Sequence, residues 1–291
     1  DLHSFPTRRS SDLVGDLPVE RLRSYDVEVL PLYVTQGEII FRDGIDILPE
    51  TIYRQMAEGV IYKTSQIPYM DYFQCFERHA QEKQPALYLC FSSGLSGTFQ
   101  TAQLACHDVC ERYPDADIRV IDTKAVTGGL GMIVDVVALE AQKGRSMDEL
   151  ITLTQRCTAH IHHIFTVTNL DYVYRGGRLS KTSAVLGNAL KIHPFMEVDR
   201  DGKLQITDKC RGEKRLLKKF VSYMETHTYD LAHQKIYFVD AVQQPLVDAL
   251  QAMITKKTGN TNFEQTTLAP VIGTHIGPGS MTVFFFDENP L

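Results

Sequence analysis

Residues Ala86–Gln100 read ALYLCFSSGLSGTFQ. Ala86–Phe91 is apolar without a break, which is the length and composition of a strand buried on both faces. Ser92–Gly97 follows as a tight Gly/Ser turn. Thr98–Glu111 then predicts a helix with Ala102, Leu104, Ala105 and Val109 turned inward. A buried strand, a short turn and a helix form half of a β-α-β unit. That unit implies a parallel sheet covered by helices on both faces.

The same alternation continues on either side. Upstream, Val27–Val34 predicts a strand, Thr35–Gly44 a polar hairpin or loop, and Pro49–Glu58 and Tyr69–Gln81 helices around a Thr64–Pro68 loop. Downstream, Ile118–Ile121 predicts a strand, Asp122–Gly131 a Gly/Thr-rich loop, and Met132–Lys143 and Asp148–Cys157 helices. The pattern then changes. Residues 152–199 mix helix and strand signals, Gly202–Thr207 looks like a hairpin arm, and Arg211–His227 is a basic amphipathic helix. Ile236–Asp240, Thr266–Ile272 and Met281–Phe286 predict strands. The expectation is a two-lobed α/β protein: an N-terminal domain over residues 14–158 with a parallel sheet flanked by helices, and a C-terminal α/β domain over 159–291 with a mixed sheet.

Asp1–Leu13, DLHSFPTRRSSDL, is set apart from this reading. It matches a translation of the short-read sequencing adapter ending CTCTTCCGATCT, and is read as a scar of sequence assembly. A buried strand normally precedes a helix start such as Val14–Glu20, where Asp16 would cap and Pro18 would sit in the first turn. The first strand is therefore expected to be missing.

Composition narrows the class. A length of 291 residues, 43% hydrophobic and 23% charged, suits an ordinary globular protein of about two domains. A net charge of −6 argues against a nucleic-acid partner, which calls for a basic surface. No apolar window approaches the length of a membrane-spanning helix. The six cysteines form no CxxC pair and read as reduced thiols of a cytoplasmic protein.

Four segments can carry chemistry. In Phe91–Gln100 the turn lies at the carboxyl end of a strand and opens a helix, where free N–H groups favour an anion. Ser96 and Thr98 add hydroxyl donors there, although Ser96 also reads simply as a cap. The turn is one residue short of the GxSxG elbow and lacks the lysine of a phosphate loop. Lys63–Pro68 (KTSQIP) brings Thr64 and Ser65 into a stiffened polar loop. Tyr172–Lys181 (YVYRGGRLSK) sets Arg175 and Arg178 around two glycines, suited to a carboxylate or phosphate or to a plain solvated turn. Gly273–Ser280 (GTHIGPGS) holds His275 between two strands, as an acid–base group or a bystander. His160, His162 and His163 have no acidic or cysteine partner at metal-ligand spacing, so no metal is expected.

Taken in order, these segments resemble the DegV family: TSQ at Thr64–Gln66, SSGLSGTFQ at Ser92–Gln100, RGGRLS at Arg175–Ser180 and GTHIGPG at Gly273–Gly279. Ile121–Gly131 (IDT…GGLG) and Lys191–Pro194 (KIHP) agree. The resemblance implies a two-lobed protein of the EDD type that encloses one long-chain fatty acid between its lobes. It implies no cofactor beyond that ligand. A fatty acid kinase catalytic subunit would be the protein partner, and transient membrane contact is compatible with that role. By motif, Thr64, Ser96 and His275 would bind the carboxylate. Arg178, with Ser65, Ser93, Gly97, Thr98 and Arg175, would lie near the head group or face the kinase. An Asp-Ser pair that ends the family's first strand would be lost with the scar, and Phe99 stands where tyrosine is common. The acyl tunnel would draw on residues such as Phe165, Val167, Leu170, Leu186, Leu190, Ile192, Phe195 and Met196. Two other readings remain open: a carrier of another anionic lipid or metabolite, and an acyl hydrolase with Ser96 as nucleophile and His275 as base.

Overall fold

The computed structural model describes residues 8–12, 16–179 and 192–291, the first stretch by its backbone alone. β1 (Arg8–Asp12), β2 (Val27–Leu30), β6 (Ala86–Cys90) and β7 (Ile118–Asp122) form a parallel sheet in the order β2-β1-β6-β7. Every residue of β6 is buried, as its unbroken apolar run requires. Tyr88 meets Tyr72 and Phe76 edge-on at 5.4 and 5.5 Å between ring centroids. Those two rings stand on α3 (Tyr69–Gln81), which with α4 (Thr98–Arg112) packs beside the sheet.

A strand does precede α1: Arg8–Asp12, within the segment read as a scar, pairs in parallel with both β2 and β6. A ladder is made from backbone groups, and every non-proline residue supplies one donor and one acceptor. α1 (Val19–Ser24) begins later than expected, with Pro18 rather than Asp16 at its N-cap.

Val27–Val34 is two strands. Proline lacks an N–H and interrupts a ladder, and Pro31 separates β2 from β3 (Tyr33–Gln36). β3 belongs to a small antiparallel sheet in the order β4-β3-β5, with β4 (Ile39–Arg42) and β5 (Lys63–Ser65). α2 (Pro49–Ala57) connects the last two.

The glycines of Thr127–Gly131 are helical rather than in a loop. α5 (Thr127–Gln142) starts there, and α6 (Met147–His160) follows behind a Ser146/Glu149 capping box. α5 packs on β8 (Ile161–Thr166), β11 (Ile236–Asp240) and β13 (Met281–Phe286). A Cβ on Gly129 would stand 2.2 Å from His163 Nε2, and one on Gly128 2.8 Å from Phe284. Glycine costs helix propensity at these positions, and the close approach to the second sheet offsets that cost.

The second sheet runs β10-β9-β8-β13-β11-β12, with β9 (Ile192–Val198), β10 (Leu204–Arg211) and β12 (Phe263–Thr267). All its pairings are antiparallel except β11 with β12. Alternate residues of β13 serve different cores. Phe284 and Phe286 join the core that runs through α5 to the first sheet. Met281, Val283 and Phe285 face a second core under α8 (Glu213–His227) and α9 (Gln244–Thr258). The remaining helices are α7 (Leu170–Arg175) and α10 (Pro270–Ile276). The strand expected over Thr266–Ile272 instead ends at Thr267 as the close of β12, because Pro270 takes the first position of α10.

Candidate functional site

Four polar side chains from distant segments converge where the lobes meet. Thr64 lies on β5, held opposite Val34 of β3. Ser96 sits in the turn between β6 and α4, and Arg178 follows α7. His275 is in the last turn of α10, not in a loop between strands. α10 is anchored from the N-terminal lobe: Asp16 Oδ1 accepts from Ala269 N at 2.9 Å, and Asp43 Oδ1 accepts from Val271 N at 3.3 Å. Burial raises both carboxyls, Asp43 to about 7. Asp16 thus acts at the start of a helix far along the chain rather than its own.

Thr64 Oγ1 and His275 Nε2 are 2.7 Å apart. Burial, with the Arg178 charge nearby, lowers the imidazole to about 4, so His275 is neutral at pH 7. Nδ1 is buried without a hydrogen-bond partner. An unmet N–H donor is rarer in protein interiors than an unmet acceptor, so we assign the proton to Nε2. Nε2–H then donates to Thr64 Oγ1 and leaves the threonine O–H to donate elsewhere. Gly176 makes room for this ring, since a Cβ there would stand 2.5 Å from Nδ1.

Ser96 is arranged in the same way. Its Oγ lies 2.5 Å from Thr98 Oγ1 and accepts from Thr98 N at 3.3 Å. With Thr98 as donor, the Ser96 O–H is left for another acceptor. Arg178 Nε donates to Leu95 O at 3.2 Å, and Nη1 donates to Gly176 O. The guanidinium is half-buried, and burial lowers its pKa, with no carboxylate among the described residues offsetting the effect.

These groups line a cavity of about 170 Å³ whose other walls are mostly apolar. Phe91, Leu95 and Val126 come from the first lobe, Phe165, Val198, Leu204 and Phe284 from the second sheet, and Val271, Ile272 and Ile276 from α10. Of the expected tunnel residues only Phe165 takes part among those described. Val167 and Met196 are buried in the main core without lining the cavity, and Leu170 and Ile192 do not line it either. Phe195 packs on Phe220 in the other core, on the opposite face of the sheet. Leu186, Leu190 and Ser180 lie outside the described residues.

The remaining expected head-group residues divide. Ser65 and Gly97 line the cavity. Ser93 turns away: its N–H donates to Asp122 and its hydroxyl accepts from Lys124 Nζ at 2.7 Å. Thr98 is fully buried behind Ser96. Arg175 is exposed, with its guanidinium 5.2 Å from the Tyr172 ring centroid. Strand and helix geometry turn neighbouring residues in different directions, which a motif does not record. Leu32, Gln66, Thr127 and His163 also line the cavity. Thr127 had a signal, because it opens a helix directly after a strand and turn. His163 is buried, lowered to about 3 by burial, and accepts from Val126 N at 3.3 Å.

Two further readings change. Ser96 is bonded to Thr98 and His275 to Thr64, and among the described residues no carboxylate orients the imidazole, so these residues do not assemble a Ser-His nucleophilic pair. His160 and His162 do have an acidic partner: Asp287 lies 2.7 and 3.0 Å from them. The pairing of β13 with β8 brings it there from the far end of the chain.

Comparison with known proteins gives the family. The family described as "Uncharacterised protein, DegV family" matches residues 12–288. The chain belongs to the DegV family. A DegV domain-containing protein of Clostridium perfringens is 32% identical over 280 residues, covering 96% of each chain. Among solved structures, a DegV family protein from Thermus thermophilus, described by its fatty acid binding, superposes with TM-score 0.86 at 27% identity, over 96% of this chain and 98% of that one. The fatty acid binding DegV family protein of Streptococcus agalactiae gives TM-score 0.86 at 25% identity, over 97% and 99%. In this DegV family chain, no helix among the described residues is long and apolar enough to cross a membrane.

Proposed function

We propose that this chain is a carrier that binds one long-chain fatty acid, does no chemistry on it, and presents its carboxylate to a fatty acid kinase catalytic subunit. The observation that carries this reading is the cavity's polarity: an apolar chamber with donors gathered at one end. A carboxylate leaving water needs several hydrogen bonds to offset desolvation. Thr64 and Ser96 each hold a hydroxyl proton available for it. Neutral His275 positions the first of these protons, and Arg178 supplies positive charge at the same end. The apolar walls suit an acyl chain, where each buried CH2 contributes about 0.8 kcal/mol. Fatty acid binding by the Thermus thermophilus and Streptococcus agalactiae proteins supports the same ligand class. Residue 158, the proposed lobe boundary, lies in the last turn of α6.

Mass spectrometry of lipid released from protein purified from bacteria tests the proposal. One fatty acid per chain is expected. Thr64→Val and Ser96→Ala should each weaken binding about tenfold or more, the scale of a lost hydrogen bond to a charged group. A wild-type protein carrying a different anionic lipid or metabolite would redirect the ligand assignment. Retention of the fatty acid by both variants would refute the carboxylate site.

A further inference from the structure

Glu28, Cys75 and His79 come together without lining the cavity. Cys75 and His79 are one turn apart on α3 and therefore share a face. Glu28 reaches them from β2, the edge strand. One sulfur, one imidazole nitrogen and one carboxylate oxygen all lie within 4.8 Å of one another. Cys75 is 4% exposed and His79 fully buried. His79 Nε2 is 3.4 Å from Glu28 Oε2, yet neither ring nitrogen completes a hydrogen bond. A buried imidazole without hydrogen bonds is costly, and a ligand atom would relieve it.

We propose that Glu28, Cys75 and His79 bind a divalent transition metal of the zinc class, tying the edge strand to α3. The mixed S/N/O donor set suits zinc and excludes calcium and magnesium, which take oxygen shells. Metal–donor bonds of about 2.0–2.3 Å place tetrahedral ligands roughly 3.3–3.8 Å apart, so the three donors need shift by only about an ångström. The Cys75 thiol would release its proton to solvent on binding. A cation already sits in this cradle: Arg78 Nη2 lies 2.5 Å from both Glu28 oxygens and 3.8 Å from Cys75 Sγ. Arg78 is 44% exposed, so its guanidinium can withdraw to water when an ion enters. It is then a competitor for the site.

The test is a cobalt(II) titration of the full chain under reducing conditions, after chelator treatment. We expect one equivalent to give a thiolate-to-cobalt charge-transfer band with intense tetrahedral d–d absorption, both bleached by zinc(II). The band should vanish in Cys75→Ser, and Glu28→Gln should weaken binding at least about tenfold, as loss of a donor does. Arg78→Gln should tighten binding by relieving competition. The exposed His107, Asp108 and Glu111 group holds no thiol and cannot give the band. Absence of the band, its survival in Cys75→Ser, or unchanged affinity in Arg78→Gln would each overturn the proposal. If Cys75→Ser fails to fold, the part-exposed Glu28 and Arg78 variants decide the question.

Discussion

At His275 a single ring links burial, tautomer and ligand. Its folded pKa of about 4 lies below the ordinary 6.5, so the unfolded chain takes up the proton first as pH falls. This contribution to stability is complete above pH 6.5 and is lost as pH falls from 6.5 toward 4. Titration of the His275 ring by NMR should place it near 4, and saturation with oleate should move it upward, because an anion nearby favours the imidazolium. A ring that titrates at 6.5 in both states would contradict the site as described. The motifs made Thr64, Ser96, His275 and Arg178 legible in the sequence. What they could not show was direction: Ser93 and Arg175 belong to the same motifs and point elsewhere, because each side chain's heading depends on local backbone geometry.

At the level of elements, α10 shows how a short helix can be set by residues far from it. Asp43 at its start has a folded pKa of about 7, above the ordinary 3.8. For a raised acid, the stabilising contribution is present in full below 3.8 and is lost as pH rises from about 4 to about 7. Asp43→Asn keeps an acceptor for Val271 N–H and removes the charge, so its melting temperature should gain on wild type across that window. A constant difference between the two proteins at all pH values would refute this account. α5 is limited by space instead. Gly129→Ala puts a methyl group into His163, and a cost of about 1–3 kcal/mol is expected in denaturant unfolding, as for other overpacked sites; wild-type stability would refute the close approach. Both elements were misread from sequence for identifiable reasons. The glycines of α5 resemble a loop until a tight helix-to-sheet contact explains them. The apolar residues flanking Pro270 resemble a strand until the proline is placed at a helix start. Strands buried on both faces, such as β6, β11 and β13, were legible because their composition leaves no other placement.

Across the whole molecule, Asp135 of α5 joins the lobes. It accepts from Tyr25 at 2.5 Å and from Tyr237 at 2.6 Å, and Arg21 bridges to Glu264 beside it at 2.9 Å. Asp135 is only 7% exposed. Asp135→Ala should therefore destabilise the protein by about 3 kcal/mol, the scale of breaking a buried charged network. An unchanged denaturation midpoint would show that this network does not hold the lobes together. No local pattern announces this network, since its members lie on α1 and its C-cap, α5, β11 and β12. The two-lobed α/β architecture was legible, because alternation and the change of pattern after α6 are local signals.

The contact between Thr64 and His275 spans 211 positions of the chain. Neither lobe alone contains both ends of that bond, so the polar end of the cavity exists only while the lobes stay together. If a fatty acid seated there can leave only when the lobes part, its departure is tied to that motion. Its residence time would then measure the breathing of the protein, and a protease that cuts the opened form would be slowed by the same cargo.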